Sequence, residues 1–192
     1  MRVISGTYKG RTLKSIRDLR LRPAADRVRE SIFNILQNRL NLHGARVLDL
    51  FAGSGSLGFE ALSRGAARVV FVDDWQGATK VIEENSSLLR CEDRCEIIKA
   101  DVYWFLRHAE GQYDLVFVDP PYRLESAPDL PQTILEKGLL SPPGLIIMEH
   151  AARTKILTNS SFSLVSERTF GSTTISFFSS IKTKSVESPT AQ

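Results

Sequence analysis

Arg46-Val47-Leu48-Asp49-Leu50-Phe51-Ala52-Gly53-Ser54-Gly55-Ser56-Leu57-Gly58 is the stretch on which the fold turns. Its first five residues read as a short apolar strand. The glycines that follow stand at G-x-G-x-x-G spacing, and a helical pattern continues through Ser63. Glycine at such positions permits positive φ and lets the backbone come close to a ligand. Taken alone, the stretch is also compatible with a plain tight strand-to-helix turn, so the decision rests on what surrounds it.

The same rhythm recurs downstream. Val69-Val70-Phe71-Val72 reads as a second strand ending in Asp73-Asp74, followed by a helix carrying Val81, Ile82, Leu88 and Leu89. Cys95-Glu96-Ile97-Ile98 is a third strand ending near Ala100-Asp101, and Val102 to His108 a short helix with Phe105 and Leu106 inward. Tyr113 to Val118 is a fourth strand running into Asp119-Pro120-Pro121-Tyr122. Residues 130–140 read as helical, Gly144 to Glu149 as a fifth strand, and Phe162 to Arg168 with Thr173 to Phe178 as a closing hairpin about Gly171. Upstream, Val28, Ile32, Ile35, Leu36 and Leu40 recur at helical spacing from Ala25 to about Leu40, with Asp26 near the start, where an acid suits the helix dipole. Strands alternating with helices predict an α/β fold with a mostly parallel, doubly wound sheet, whose ligands bind at the carboxyl ends of the strands.

The 192 residues, 42% apolar and 24% charged, suit one folded domain with a full core and exclude a collagen-like or low-complexity chain. No apolar run approaches the ~20 residues of a membrane helix, and the first residues lack the apolar core of a secretory signal. A soluble, cytoplasmic protein without membrane association is expected. Cys91 and Cys95 have no second pair, and His43, His108 and His150 are scattered, so free thiols and no metal are expected. The net charge of +3 is unevenly divided: residues 1–41 carry ten basic against three acidic side chains, and the remainder 15 against 19. The first segment therefore stands at +7 and the rest at −4. A basic arm of this kind binds a polyanion by releasing counterions from its phosphates; a merely solvated basic surface is the competing reading.

The post-strand residues are the candidates for function. The glycine loop, with Phe51, Ala52, Gly53, Ser54, Gly55 and Gly58, is compatible with NAD, FAD or S-adenosylmethionine. Asp49 tilts the choice, because a carboxylate inside a strand needs a partner. The ammonium of S-adenosylmethionine supplies one, whereas a dinucleotide's diphosphate would be repelled. Asp73 ends the second strand about 20 residues after the loop, the spacing at which an acid accepts from ribose hydroxyls, with the neighbouring Asp74 as competitor. Asp101, followed by Val102, could accept from an adenine amino group, cap the following helix, or do both.

Asp119-Pro120-Pro121-Tyr122 is the most specific motif. Two prolines leave two positions without amide donors, so the carbonyls and the Asp119 carboxylate present only acceptors, and an aromatic ring follows at once. Acceptors beside a flat ring suit the exocyclic amino group of a nucleobase stacked on Tyr122.

Together with Ile4-Ser5-Gly6-Thr7-Tyr8-Lys9-Gly10-Arg11-Thr12-Leu13 and Arg22-Pro23-Ala24-Ala25-Asp26-Arg27-Val28-Arg29-Glu30-Ser31-Ile32-Phe33-Asn34, these motifs stand in the order seen in the RsmD family of class I methyltransferases, which the chain resembles over about residues 2–178. The resemblance implies a Rossmann-like, seven-stranded sheet with a reversed final hairpin, and transfer of a methyl group from S-adenosylmethionine to guanine N2 of 16S rRNA. It also implies a basic N-terminal arm (residues 1–24) that helps bind cofactor and RNA, ahead of the methyltransferase domain (25–181). Within it Asp119, Pro120, Pro121 and Tyr122 would hold the base, and Arg11, Arg22, Arg27 and Arg29 are expected to contact phosphates. The expected partner is 16S rRNA within an assembled or assembling 30S subunit, bound by a monomer, and residues 182–192 are expected as a disordered tail. Asp73 stands where family members often have Glu, and Ala24-Ala25 where hydroxyl residues are frequent. An adenine-N6 methyltransferase acting on DNA or RNA would share Asp119 to Tyr122, and a non-catalytic RNA-binding protein would not need them.

Overall fold

The structure, a computed structural model, describes residues 1–16, 23–121, 123–125, 127–156 and 162–180. In chain order the elements are α1 (Pro23–Leu36), β1 (Arg46–Leu50), α2 (Ser56–Ser63), β2 (Arg68–Asp73), α3 (Gln76–Leu89), β3 (Cys95–Lys99), α4 (Val102–His108), β4 (Tyr113–Val118), α5 (Leu130–Glu136), β5 (Leu140–Ala151), β6 (Phe162–Phe170) and β7 (Thr173–Ser180). The strands form one seven-stranded sheet in the order β3-β2-β1-β4-β5-β7-β6. β1 to β5 pair in parallel, and β7 is inserted antiparallel between β5 and β6. The expected reversed hairpin is thus the far edge of the sheet.

Strict alternation along the central strands divides the core in two. Val47 of β1 and Leu115 and Phe117 of β4 face a layer with Phe33 of α1, Phe59 of α2 and Ile82 of α3. Leu48, Leu50, Val116 and Val118 face the opposite layer, with Leu106 of α4 and Leu130 and Ile134 of α5. Strands buried on both faces read as continuous apolar runs, which is why their positions were plain in the sequence.

Several boundaries differ from expectation. α1 stops at Leu36, where Arg39 and Leu40 donate back to the Leu36 carbonyl and close a turn. α5 stops at Glu136 because Gly138 adopts a left-handed φ of +67°, and the chain enters β5 at Leu140. β5 runs on to Ala151, held by its antiparallel pairing with β7.

Residues 1–16, expected as an appended arm, are instead docked on the body. An Arg2–Thr12 bridge closes a hairpin whose Val3 and Leu13 enter the α1–α3 core layer. Ile4 and Ser5 donate their N–H groups to the Glu60 carboxylate at 2.7 and 3.0 Å. Gly6, at φ +82°, lies so close to α2 that a Cβ there would come within 1.8 Å of the Ser63 carbonyl oxygen, so no larger residue fits. Of the rest of the expected arm, Pro23 and Ala24 open α1, while residues 17–22, including Arg22, and the expected tail at 182–192 lie outside the described residues. Among the described residues, no helix is long and apolar enough to cross a membrane.

Candidate active site

The order of strands reverses between β1 and β4, and this is where a doubly wound sheet opens a crevice. Leu50 stands opposite Val118, and the Asp119 N–H donates to the Leu50 carbonyl at 3.4 Å, which sets the glycine loop beside the Asp119 segment. The loops after β2 and β3 continue the same rim, so topology brings Asp49, Asp73, Asp74, Asp101 and Asp119 to one end of the sheet.

Asp49 lies in β1 on the α2 side and is only 2% exposed. Its Oδ2 accepts from the Gly58 N–H at 2.9 Å, and its other oxygen makes no hydrogen bond among the described residues. Burial pushes this carboxyl up to about 8, the Gly58 bond opposing the shift and the Asp73 charge adding to it. Gly58 can approach only because it lacks a side chain: a Cβ would sit 2.3 Å from the Phe71 ring.

The loop itself is shaped by backbone geometry. Phe51, Gly53 and Gly55 all have positive φ, the Ala52 N–H donates to the Val72 carbonyl at 3.1 Å, and the Gly55 N–H to the Ala52 carbonyl at 2.8 Å. The space over Gly53 is open: the nearest atom to a Cβ there would be the Phe51 carbonyl oxygen at 4.0 Å. Asp73 holds the loop with one oxygen, accepting from the Gly53 N–H at 2.9 Å, and starts α3 with the other, accepting from the Trp75 N–H at 3.0 Å. Each oxygen keeps a lone pair for a ligand hydroxyl. Asp74 is exposed beside it. Asp101 caps α4 by accepting from the Trp104 N–H at 2.8 Å, leaving its second oxygen at the exposed rim, and Val102 behind it is buried.

Asp119 is exposed at the strand mouth, yet its carboxyl is held well above the ordinary carboxylate range. Desolvation is the main cause, and the nearby Glu149 and Asp49 charges add to it. The carboxyl makes no hydrogen bond among the described residues. The Pro121 carbonyl is taken by the Leu124 N–H at 2.9 Å, whereas the Pro120 carbonyl is without a partner there. Tyr122 lies outside the described residues.

Three residues of consequence carried no sequence signal. Glu149, near the end of β5, adds charge beside Asp119. Glu60 of α2 fastens the hairpin. Asn85 of α3, fully buried, accepts from the Lys14 N–H at 2.7 Å and donates to the carbonyls of Lys14 at 3.0 Å and Ser54 at 3.1 Å, tying the hairpin to the glycine loop.

The arginines divide. Arg27 is exposed, and Arg11 is exposed with its guanidinium against the Leu88 carbonyl. Arg29 corrects the expectation: only 4% of it is exposed, and its Nη2 donates to the Arg2 carbonyl at 2.6 Å, so it fastens the hairpin from inside and does not face a phosphate. Cys91 and Cys95 are free, their sulfurs 3.9 Å apart, and no three His, Cys, Asp or Glu side chains among the described residues are grouped to hold a metal ion.

The mouth is therefore a rim of carboxylates with unused acceptors around a glycine loop. Asp49 with a free oxygen suits an ammonium, Asp73 and Asp74 suit a ribose diol, and the open space over Gly53 admits the ligand between them. S-adenosylmethionine fits that donor and acceptor set.

Comparison with known proteins agrees. Residues 1–179 match the family model described as Conserved hypothetical protein 95. The chain is 36% identical over 174 residues to Ribosomal RNA small subunit methyltransferase D of Haemophilus influenzae, covering 89% of each chain. It is 34% identical to the protein of that name from Escherichia coli K12, covering 78% of this chain and 74% of that one. The solved structure of Escherichia coli yhhF has a TM-score of 0.82 at 30% identity, covering 94% of this chain and 97% of that one. That of Haemophilus influenzae HI0767 has 0.80 at 32%, covering 95% and 99%. The architecture is the Rossmann-like fold of the class I methyltransferases, whose cofactor is S-adenosylmethionine. With its glycine loop, its Asp119-Pro120-Pro121 segment and its docked N-terminal hairpin all lying within the matched residues, the chain belongs to the ribosomal RNA small subunit methyltransferase D family.

Proposed function

We propose that this protein methylates the exocyclic N2 amino group of a guanine in 16S rRNA, acting in the cytoplasm as a monomer on an assembled or assembling 30S subunit. The observation that carries the reading is the pair of acceptors at the mouth that have no partner among the described residues, the Asp119 carboxylate and the Pro120 carbonyl. An aromatic amino group offers two N–H donors. Accepting both holds its nitrogen in place and turns the lone pair toward the cofactor, and Tyr122 follows in the chain to stack on the base.

When bound, S-adenosylmethionine supplies an electrophilic methyl group. Asp49 meets the cofactor's ammonium, Asp73 with Asp74 the ribose hydroxyls, and Asp101 the adenine amino group. Phe51, Ala52, Gly53, Ser54, Gly55 and Gly58 give the loop its approach, and Val102 supports the rim. At the reacting nitrogen, Asp119 stabilises the positive charge that develops during transfer and takes the proton late, directly or through water. Arg11, Arg22 and Arg27 contact phosphates.

The test supplies labelled S-adenosylmethionine to the purified protein with 30S particles and with protein-free 16S rRNA from cells lacking the enzyme, then maps the product by mass. One N2-methylguanosine is expected. N6-methyladenosine would move the reading to the adenine-N6 reaction, and no labelled nucleotide would overturn it.

A further inference from the structure

Beside α1 the structure has a groove of about 410 Å³ that the mouth does not explain. Its walls are the outer side of α1, with Arg27, Glu30 and Asn34, the turn after it, with Asn38 and Arg39, and the edge strand β6, with Ser166 and Arg168. Arg27, Arg39 and Arg168 are all exposed, and among the described residues Arg27 and Arg39 make no hydrogen bond or ion pair. Among the described residues, Arg168 donates only to the carbonyl of its neighbour Glu167. Glu30 is the one acid on the walls.

The β6 side of the groove depends on a bulge. Leu164 stands opposite Phe178, whose side chain belongs to the α4–α5 layer, but Ser166 stands opposite Phe177 and Arg168 opposite Ile175, both in the α1 layer. The extra residue at Val165 therefore turns the strand over and brings Ser166 and Arg168 to the side that α1 covers. Without it, Arg168 would face the other layer.

The groove also has a direction. The turn after α1, Gln37 to Leu42, shares a pocket with Arg64, which ends α2 just before β2 starts, so α1 ends toward the amino ends of the strands and its first turn lies toward their carboxyl ends, where Asp119 is. β6 rises from Phe162, opposite Ser180, to Phe170, opposite Thr173, and β7 in turn sets Thr173 opposite Ala151 at the carboxyl end of β5. Arg27 and Arg168 thus lie toward the mouth and Arg39 away from it. From Arg27 to the end of α1 is roughly 13 Å, longer than the spacing of successive phosphates on a nucleic-acid strand.

We propose that the groove between α1 and β6 seats the phosphate backbone of the RNA strand leading to the mouth, with Arg39 and Arg168 as contacts in addition to the arginines already assigned to phosphates. The proposal rests on the reaction assigned above. Three guanidinium groups without an ion pair among the described residues, against one carboxylate, favour a polyanion, and the amides of Asn34 and Asn38 can donate to phosphate or ribose oxygens.

The test compares wild type with the double variant Arg39→Gln/Arg168→Gln. Binding to a 16S rRNA fragment is measured across a range of KCl concentrations, with S-adenosylhomocysteine affinity and the thermal unfolding midpoint as controls on the fold. The salt slope is expected to fall by roughly 1.4, the loss of two single-strand phosphate contacts, and the KM for RNA to rise about tenfold while both controls hold. Glu30→Gln should act oppositely and tighten RNA binding. A double variant with the wild-type slope would overturn the groove, even where wild type methylates guanine normally. Loss of activity on 30S particles with an unchanged slope on protein-free RNA would overturn it too, assigning the surface to a ribosomal protein. A lowered slope in a protein that transfers no methyl would keep the groove and remove the reaction.

Discussion

Two buried acids eleven residues apart in sequence are treated in opposite ways. Glu60, 1% exposed under the N-terminal hairpin, accepts from the N–H groups of Ile4 and Ser5 and from Arg64 Nε at 2.8 Å. Asp49, 2% exposed at the mouth, accepts from Gly58 alone among the described residues and has its pKa driven up to about 8. The hairpin dock is complete within the chain, whereas at the mouth the single Gly58 hydrogen bond offsets only part of the cost of burying Asp49 among the described residues. Fully satisfied acids hold structure together; an acid left short of partners is one that a ligand completes.

Removing the least satisfied group should have the largest effect. Asp119→Ala should lower methyl transfer by roughly 10²- to 10³-fold, the loss of a positioned electrostatic contact to the reacting group, with cofactor affinity nearly unchanged. Asp119→Asn keeps one acceptor and should retain part of that activity. The two differ from wild type in pH dependence as well. Protonated Asp119 presents a donor where an acceptor is needed, and its pKa is raised, so wild-type turnover should climb as pH rises through that value while the Asn variant stays flat. Full turnover by the Ala variant would remove Asp119 from the reaction.

At the dock the loss should appear in stability. Glu60→Gln removes the charge that three donors share and leaves Arg64, largely buried, without its ion pair. A loss of about 2–3 kcal/mol in denaturant unfolding is expected. A variant as stable as wild type would show that the dock has slack and that the contrast with Asp49 is weaker than the geometry indicates.

Asp49→Asn probes the same contrast from the mouth side. Affinity for S-adenosylhomocysteine, which keeps the ammonium, should fall about 10- to 30-fold near pH 8, as for one charged hydrogen bond. The difference should shrink at lower pH, where wild-type Asp49 is itself protonated. The effect on folding has the reverse sign. Between the unfolded carboxyl's ordinary pKa and about 8, the folded protein holds a proton that the unfolded chain has lost, so wild-type stability declines as pH rises across that window. The slope is at most about 1.4 kcal/mol per pH unit, and Asp49→Asn should remove it.

The contrast also accounts for what could be read from the sequence. β1, β2 and β4 are apolar on both faces and end in loops of glycine, aspartate and proline, so strands, sheet type and the ring of candidate acids were legible. Glu60, Asn85 and Glu149 were not, because a polar residue within a helix or strand gives no sign of what lies across from it in space. Arg29 misled for the same reason: a count of charges treats every arginine as solvated, and this one lies beneath the hairpin against the Arg2 carbonyl. Periodicity assigned too many residues to the ends of α1 and α5, where a closing turn and Gly138 set the limits.

The smallest expected effect bears on whether dock and mouth are independent. Asn85 touches both, holding Lys14 through its N–H and carbonyl and Ser54 through its carbonyl. Asn85→Ala deletes three hydrogen bonds, but Lys14 lies at the edge of the hairpin, where water can replace part of what is lost. A stability loss of about 1–2 kcal/mol is expected from the buried remainder. The informative quantity is cofactor affinity. Ser54 lies between the two positive-φ glycines of the loop, so freeing its carbonyl should loosen the loop and weaken S-adenosylhomocysteine binding by roughly 2- to 5-fold, at or below the low end of the usual coupling between sites. That change should vanish in a background where the hairpin is already released by Glu60→Gln, because the two substitutions then act on one connection. Additive effects would instead make hairpin and loop separate devices that happen to share a neighbour.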